Sequence, residues 1–184
     1  HDENIERFLK EPSGDIPLIY ISFPSAKDPS WDSRYPGKST IEMITLSSFD
    51  WFKKWEETSW NKRGDDYNAL KEEVSQKLLK TLYKKFPQLE GKIDFYELST
   101  PLSTKHFSNY QKGELYGLNH DFERFSVNIS TRSPLKNLYL TGQDVVTCGI
   151  SAVIIAGALT SISVLGYLKG LDIVDLITPK KRKK

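Results

Sequence analysis

Asn137-Leu-Tyr-Leu-Thr-Gly-Gln-Asp144, followed by Thr147-Cys148-Gly149, is the stretch whose reading decides the fold. Residues 138–141 (LYLT) are a short apolar run of the kind buried on both faces of a parallel sheet, and they predict a strand. Residues 142–149 predict a turn, and a long apolar helix follows from Gly149. No charged residue occurs from Val145 through Leu168. Such an arrangement suits a ligand site. Gly142 lets backbone approach a bound group where a side chain would clash. The carboxylate of Asp144 accepts hydrogen bonds from sugar-like hydroxyls. The helix entered through Gly149 offers unpaired N–H groups and the positive end of its dipole. By geometry alone, a Gly-x-Asp turn between strand and helix is more often simply a turn.

Upstream of Ser133-Pro134 the character differs. Residues 4–9 predict a short helix capped by Asp2 or Asn4. Residues 17–23 (PLIYISF) and 39–47 (STIEMITLS) predict two strands. The segment between them is rich in Pro, Ser and Asp and offers no crossover helix, so they should pair antiparallel. The clearest helix spans residues 66–86. Leu70, Val74, Leu78, Leu82 and Phe86 recur every four residues along it, and Pro87 stops it. Core packing is the reading of that stripe. Residues 92–99 (KIDFYELS) predict a third strand, after which Thr100 caps a helix opened by Pro101.

Composition narrows the function classes. Of 184 residues, 38% are hydrophobic and 27% charged, a soluble globular balance. The net charge of +2 owes its sign to the basic tail at 179–184, a solvated end or a contact for an anionic membrane surface. The remainder is slightly acidic, which excludes a nucleic-acid-binding surface. The single Cys148 excludes an intrachain disulfide or a redox pair. No His/Cys/Asp/Glu spacing suggests a metal site, and no Gly-x-Ser-x-Gly suggests a nucleophilic hydrolase. The chain opens His1-Asp2-Glu3 and its one methionine is Met43, so a processed chain or fragment is expected.

The run Asn137–Asp144 with Thr147-Cys148-Gly149 and Gly157-Ala158-Leu159 resembles the carboxy-terminal flavin motif of the retinol saturase family. That family groups with the phytoene desaturases and, more distantly, the amine oxidases. Leu98-Ser-Thr-Pro-Leu-Ser103, Tyr116-Gly117 and His120-Asp121 resemble a second run of the same family. The resemblance covers roughly residues 67–168. It implies an FAD-dependent oxidoreductase that saturates or desaturates carbon–carbon double bonds of a lipophilic, isoprenoid- or retinoid-like substrate, with NAD or NADP as electron donor or acceptor. Ser151 and Ala152 depart from the family pattern, which has more glycine there.

The implied fold class is α+β. Residues 1–133 would form an antiparallel-sheet substrate subdomain with helices. Residues 134–178 would supply the last strand and helix of a Rossmann-like FAD-binding domain, and 179–184 the tail. Trp31, Trp51, Trp55, Trp60 and Tyr110 would line an apolar tunnel or pack the core. The chain has no Gly-x-Gly-x-x-Gly, so adenine and pyrophosphate contacts would come from a missing amino-terminal half. Gly142, Gln143 and Asp144 are the implied ribityl and phosphate-side contacts. Backbone near Gly149, Ile150 and Ser151 would face the ring, whose reduced pyrimidine edge is anionic. His120, and equally Tyr116, would deliver the proton that hydride transfer to a polyene requires on the other carbon. The bland alternative for His120 is a structural or solvent-facing histidine.

Two other classes compete. A membrane-anchored binding protein would use residues 145–168 as a span, since ~20 apolar residues cross a bilayer and the basic tail fits the positive-inside tendency. A purely structural interaction domain is the third. The flavoenzyme reading places the protein on the cytoplasmic side, with peripheral membrane contact. It leaves the isolated chain inactive and prone to self-association.

Overall fold

The computed structural model describes residues 2–10, 16–167, 169–170 and 172–173, and divides into two compact units, His1–Glu114 and Leu115–Lys184. The basic tail at 179–184 lies outside the described residues.

In the first unit, the predicted amino-terminal helix is α1, Asp2–Lys10. β1 (Ile19–Ser22) and β2 (Glu42–Thr45) pair antiparallel, with Ile19 opposite Thr45 and Ser22 opposite Glu42. The connection between them contains a 3-10 turn at Pro24–Lys27 and the single-turn helix α2, Trp31–Arg34. A 3-10 segment, Phe49–Trp55, leads to α3, Asp65–Lys85, which ends where Pro87 forbids continuation. Val74, Leu78 and Leu82 of the predicted stripe are buried, and Phe86 meets Phe23 edge to face at 5.4 Å. α4, Pro101–Ser108, begins with a capping box in which Thr100 and Ser103 bond each other's backbone N–H.

Aromatic residues build this core. Phe52, Trp55, Tyr67 and Leu102 are its buried centre, with Phe49, Trp51 and Leu70 against them. Their polar atoms are satisfied, as burial requires. Trp51 Nε1 donates to the Leu9 carbonyl at 2.8 Å, and Trp55 Nε1 to Asp66 Oδ1 at 3.1 Å. The Tyr67 hydroxyl meets Thr100 Oγ1 at 2.7 Å, joining α3 to the cap of α4. Lys54 and the Trp55 indole hold the Asp66 carboxyl below the usual carboxylate range. Trp51 and Trp55 are thus core residues, and Trp60 packs edge to face on His106 and Phe107.

The predicted third strand does not form. Residues 92–100 carry no ladder, and β1–β2 is the one sheet among the described residues. A β-prone sequence becomes a strand only when another backbone edge accepts it. Here side chains hold the segment instead. Lys38 pairs with Asp94, and Tyr96 donates to Glu72 Oε1 at 2.7 Å on α3.

The second unit contains α5 (Phe122–Ser126), capped by Asp121, and α6 (Ile150–Leu165). The predicted strand at 138–141 is reduced to an isolated antiparallel bridge between Arg132 and Tyr139. Leu140 N–H donates to the Thr131 carbonyl at 2.8 Å, so this narrow pairing takes one edge of the run. A strand covered on both faces needs neighbours on both edges, and the described residues supply one. The fold is mixed, helices with one small antiparallel sheet, in keeping with the α+β expectation.

α6 sits on the bridged segment by its small and hydroxylated side. Ala152 and Ala156 are buried. Thr160 Oγ1 donates to the Leu140 carbonyl at 2.9 Å, and Arg132 to the Ser163 carbonyl at 2.6 Å. The helix has 16 residues and stops at Gly166. No helix among the described residues is long and apolar enough to cross a membrane, and within the expected span at 145–168 α6 covers Ile150–Leu165. The first residues of that span are turn rather than helix, and Gly166 breaks the run near its end.

Candidate functional site

The turn between the bridged segment and α6 is built on two glycines in left-handed backbone. Gly142 has φ +92° and Gly149 φ +102°, and no atom lies within 4 Å of where a Cβ would stand on either. L side chains rarely adopt such dihedrals, so both positions favour glycine. The N–H of Val145 closes the turn on the Gly142 carbonyl at 3.2 Å. α6 then starts with no side chain capping it and no acidic residue in its first turn. Ile150 is 84% exposed, and Gly149 and Ser151 are exposed beside it. The first N–H groups of α6 are therefore offered outward, with the positive end of the helix dipole behind them.

Asp144, in the same turn, is engaged by two groups from upstream. Its Oδ1 accepts the Leu118 N–H at 2.9 Å, and its carbonyl accepts Arg124 Nη2 at 2.5 Å. Gly117 lies against that carboxylate with φ +69°, and a Cβ there would overlap Asp144 Oδ1. The structure thus joins two stretches that the sequence keeps apart, residues 116–121 and the turn at 142–149. Gln143 is half-buried in that turn.

His120 stands on the joined loop. Its ring meets Phe125 at 6.2 Å, and its Nε2 is buried without a hydrogen-bond partner among the described residues. Burial of an unpaired ring nitrogen is unfavourable. Arg124 Nε shares that condition. Tyr116 is 55% exposed at the start of the loop. Asp121 fixes the loop's end, accepting the Arg124 N–H at 2.9 Å and the Asn119 amide at 2.5 Å. Sequence reasoning singled out His120 and Asp144 but missed Arg124 and the duty of Gly117. An Asp followed three residues later by Arg at a helix start was the available signal for the first.

Among the described residues no group of three His, Cys, Asp or Glu side chains is placed to hold a metal. A cavity of about 130 Å³ in the first unit is lined by Trp60, Arg63, Lys71, Glu97 and His106. Arg63 is committed there to the Trp55 and Thr58 carbonyls, at 3.1 and 3.0 Å.

The chain is 36% identical, over 183 residues and 95% of its length, to all-trans-retinol 13,14-reductase of Macaca fascicularis. The chain belongs to the all-trans-retinol 13,14-reductase family. It spans 30% of the length of that relative, its carboxy-terminal part. A family member from Danio rerio named inactive all-trans-retinol 13,14-reductase is 33% identical over 193 residues, covering 99% of the chain and 31% of the relative. A chloroplastic prolycopene isomerase of Arabidopsis thaliana is 32% identical over 106 residues, 57% of the chain and 16% of its own length. The likeness to the reductase family therefore reaches well beyond residues 67–168, into the amino-terminal part of the first unit. No protein-family model matches the chain, and no solved structure does.

Proposed function

We propose that the chain is the carboxy-terminal part of an FAD-dependent oxidoreductase that saturates or desaturates a carbon–carbon double bond of a retinoid- or isoprenoid-like substrate. One observation carries the reading. In a chain of this family, Gly142 and Gly149 both hold left-handed backbone beside open space, at the two ends of the turn that leads into the uncapped start of α6. A cradle that any Cβ would strain and partly fill suits a flat anionic ring edge.

In this reading Gly142, Gln143 and Asp144 contact the ribityl and phosphate side. For Asp144 the carboxylate oxygen involved is Oδ2, since Oδ1 is taken by Leu118. Gly149, Ile150 and Ser151 present backbone N–H groups to the ring. Bound FAD would supply two-electron hydride chemistry, with NAD or NADP as the exchange partner. The chain's own part in the chemistry is protonic. His120, whose buried Nε2 lacks a partner, holds the proton destined for the second carbon, and the Tyr116 hydroxyl is the alternative source. Residues 1–133 belong to the substrate subdomain. Residues 134–178 complete a Rossmann-like domain whose phosphate loop lies in the portion of the relatives that this chain does not span. The intact enzyme works on the cytoplasmic side, with peripheral membrane contact.

The test uses the full-length enzyme. Purified protein should carry FAD and bleach the polyene absorbance of all-trans-retinol. Gly142→Val should lower flavin retention by about tenfold or more, because a β-branched residue is strained at this φ and fills the open side. Flavin-free wild-type protein would overturn the reading. Flavin bound without turnover would align the chain with the relative named inactive.

A further inference from the structure

We propose that Asp144 is a positioning residue, whose carboxylate and carbonyl together hold the loop at residues 116–121, and His120 on it, against the turn at 142–149. His120 is bracketed by two anchors six residues apart in sequence, and both end on Asp144. Before it, the Leu118 N–H donates to Asp144 Oδ1 at 2.9 Å. After it, Arg124 Nη2 donates to the Asp144 carbonyl at 2.5 Å. Arg124 is itself tied back to the loop, because its N–H donates to Asp121 Oδ1 at 2.9 Å.

Gly117 makes the first anchor possible. At φ +69° it turns the chain so that the next N–H points at the carboxylate, and its missing Cβ leaves the carboxylate its place. Neither anchor is local, since 26 residues separate Leu118 from Asp144 and 20 separate Arg124 from it. A loop of Leu, Asn and His with exposed neighbours has no apolar core to hold it. Its order therefore depends on these hydrogen bonds. The ring of His120 is carried into a buried position with Nε2 unpaired, and the loop would relieve that by swinging outward if the anchors were cut.

The proposal rests on the flavoenzyme reading for its activity arm only. Hydrogen exchange of the full-length protein, with and without flavin, tests the anchor directly. Asp144→Ala should speed exchange of the amides at 116–121 by roughly 10- to 100-fold, the worth of one hydrogen bond to a charged acceptor. Asp144→Asn should restore protection, since its carboxamide oxygen accepts the same N–H. Gly117→Ala should loosen the loop strongly when Asp144 is present and less when residue 144 is alanine.

In the activity arm, with kcat expressed per bound flavin, Asp144→Ala should lower it about tenfold in wild-type background and less than about twofold in His120→Ala background, the non-additivity expected of residues acting as one unit. A general folding defect would lower both alike, and that result would overturn the positioning role. Unchanged exchange in Asp144→Ala, or no rescue by Asp144→Asn, would overturn the anchor. A flavin-free wild type would end the flavoenzyme reading while leaving the exchange result to decide this one.

Discussion

The two units bury different things. The first closes over Phe8, Phe52, Trp55, Tyr67, Val74, Leu78, Leu82 and Leu102, with Leu82 and Leu102 each 1% exposed. In the second, the buried apolar side chains among the described residues are Ala152, Ala156 and Ala158, while Phe122 is 95% exposed and Ile150 84%. α6 thus turns its alanines and hydroxyls to its own unit, and presents Val153, Ile154, Ile155 and Leu159 to solvent. Burial of large apolar side chains is the main favourable term in folding, and alanines contribute little of it. The first unit has the larger share of that term. The second is joined by specific hydrogen bonds and leaves an apolar face of α6 exposed, the kind of feature that marks interaction surfaces. In the reading proposed above, that face is met by the part of the enzyme outside this chain.

Three substitutions sharpen or break this contrast. Leu82→Ala should have the largest effect, a loss of about 2–5 kcal/mol in the first unit's unfolding, because it leaves a cavity at a fully buried site. Chemical denaturation followed by tryptophan fluorescence measures it, since Trp51 and Trp55 sit in the same unit. A loss near zero would mean that α3 is not packed as described. Tyr67→Phe comes next. It removes the 2.7 Å bond to Thr100 while keeping the ring, and should lower stability by about 0.5–1.5 kcal/mol. A fully neutral result in the same assay would detach the cap of α4 from the core.

The smallest expected effect on stability is that of Ile154→Ser, within about 0.5 kcal/mol, since the side chain is half exposed and little burial is lost. The informative readout is association. Light scattering of the isolated chain should fall in the serine variant, because the exposed face of α6 is an association hazard. A destabilisation comparable to Leu82→Ala would show that Ile154 is buried in the chain itself, and the contrast between the units would be lost.

Much of the helical architecture was legible in residue order. The spacing of Leu70, Val74, Leu78 and Leu82, with Pro87 behind them, marks α3 to within a residue at each end. Thr100-Pro101 marks the start of α4, and Gly149 the start of α6. These signals act over one or two turns, where neighbours in sequence are neighbours in space. The antiparallel pairing of β1 with β2 was also legible, because the connection between them leaves no crossover helix. The same logic failed for residues 92–99 and 138–141. Both have β composition, yet a strand is a relation between two backbones, and composition says nothing about whether a second edge is present.

What the sequence determined by itself is therefore what short-range physics controls: the helices α1, α3, α4 and α6, the Thr100 cap, the entry to α6 at Gly149, and the family motif around Asp144. Tertiary structure alone decided what Asp144 does with its oxygens. The Leu118 N–H and the Arg124 guanidinium reach it from 26 and 20 residues away, and nothing local distinguishes a carboxylate that will meet a ligand from one that will meet a loop. It also decided which side of α6 is buried. A helix that is apolar nearly all round has no stripe to declare its inner face, so its orientation came from where Thr160 and Ser163 found hydrogen-bond partners at the Leu140 carbonyl and Thr131 Oγ1.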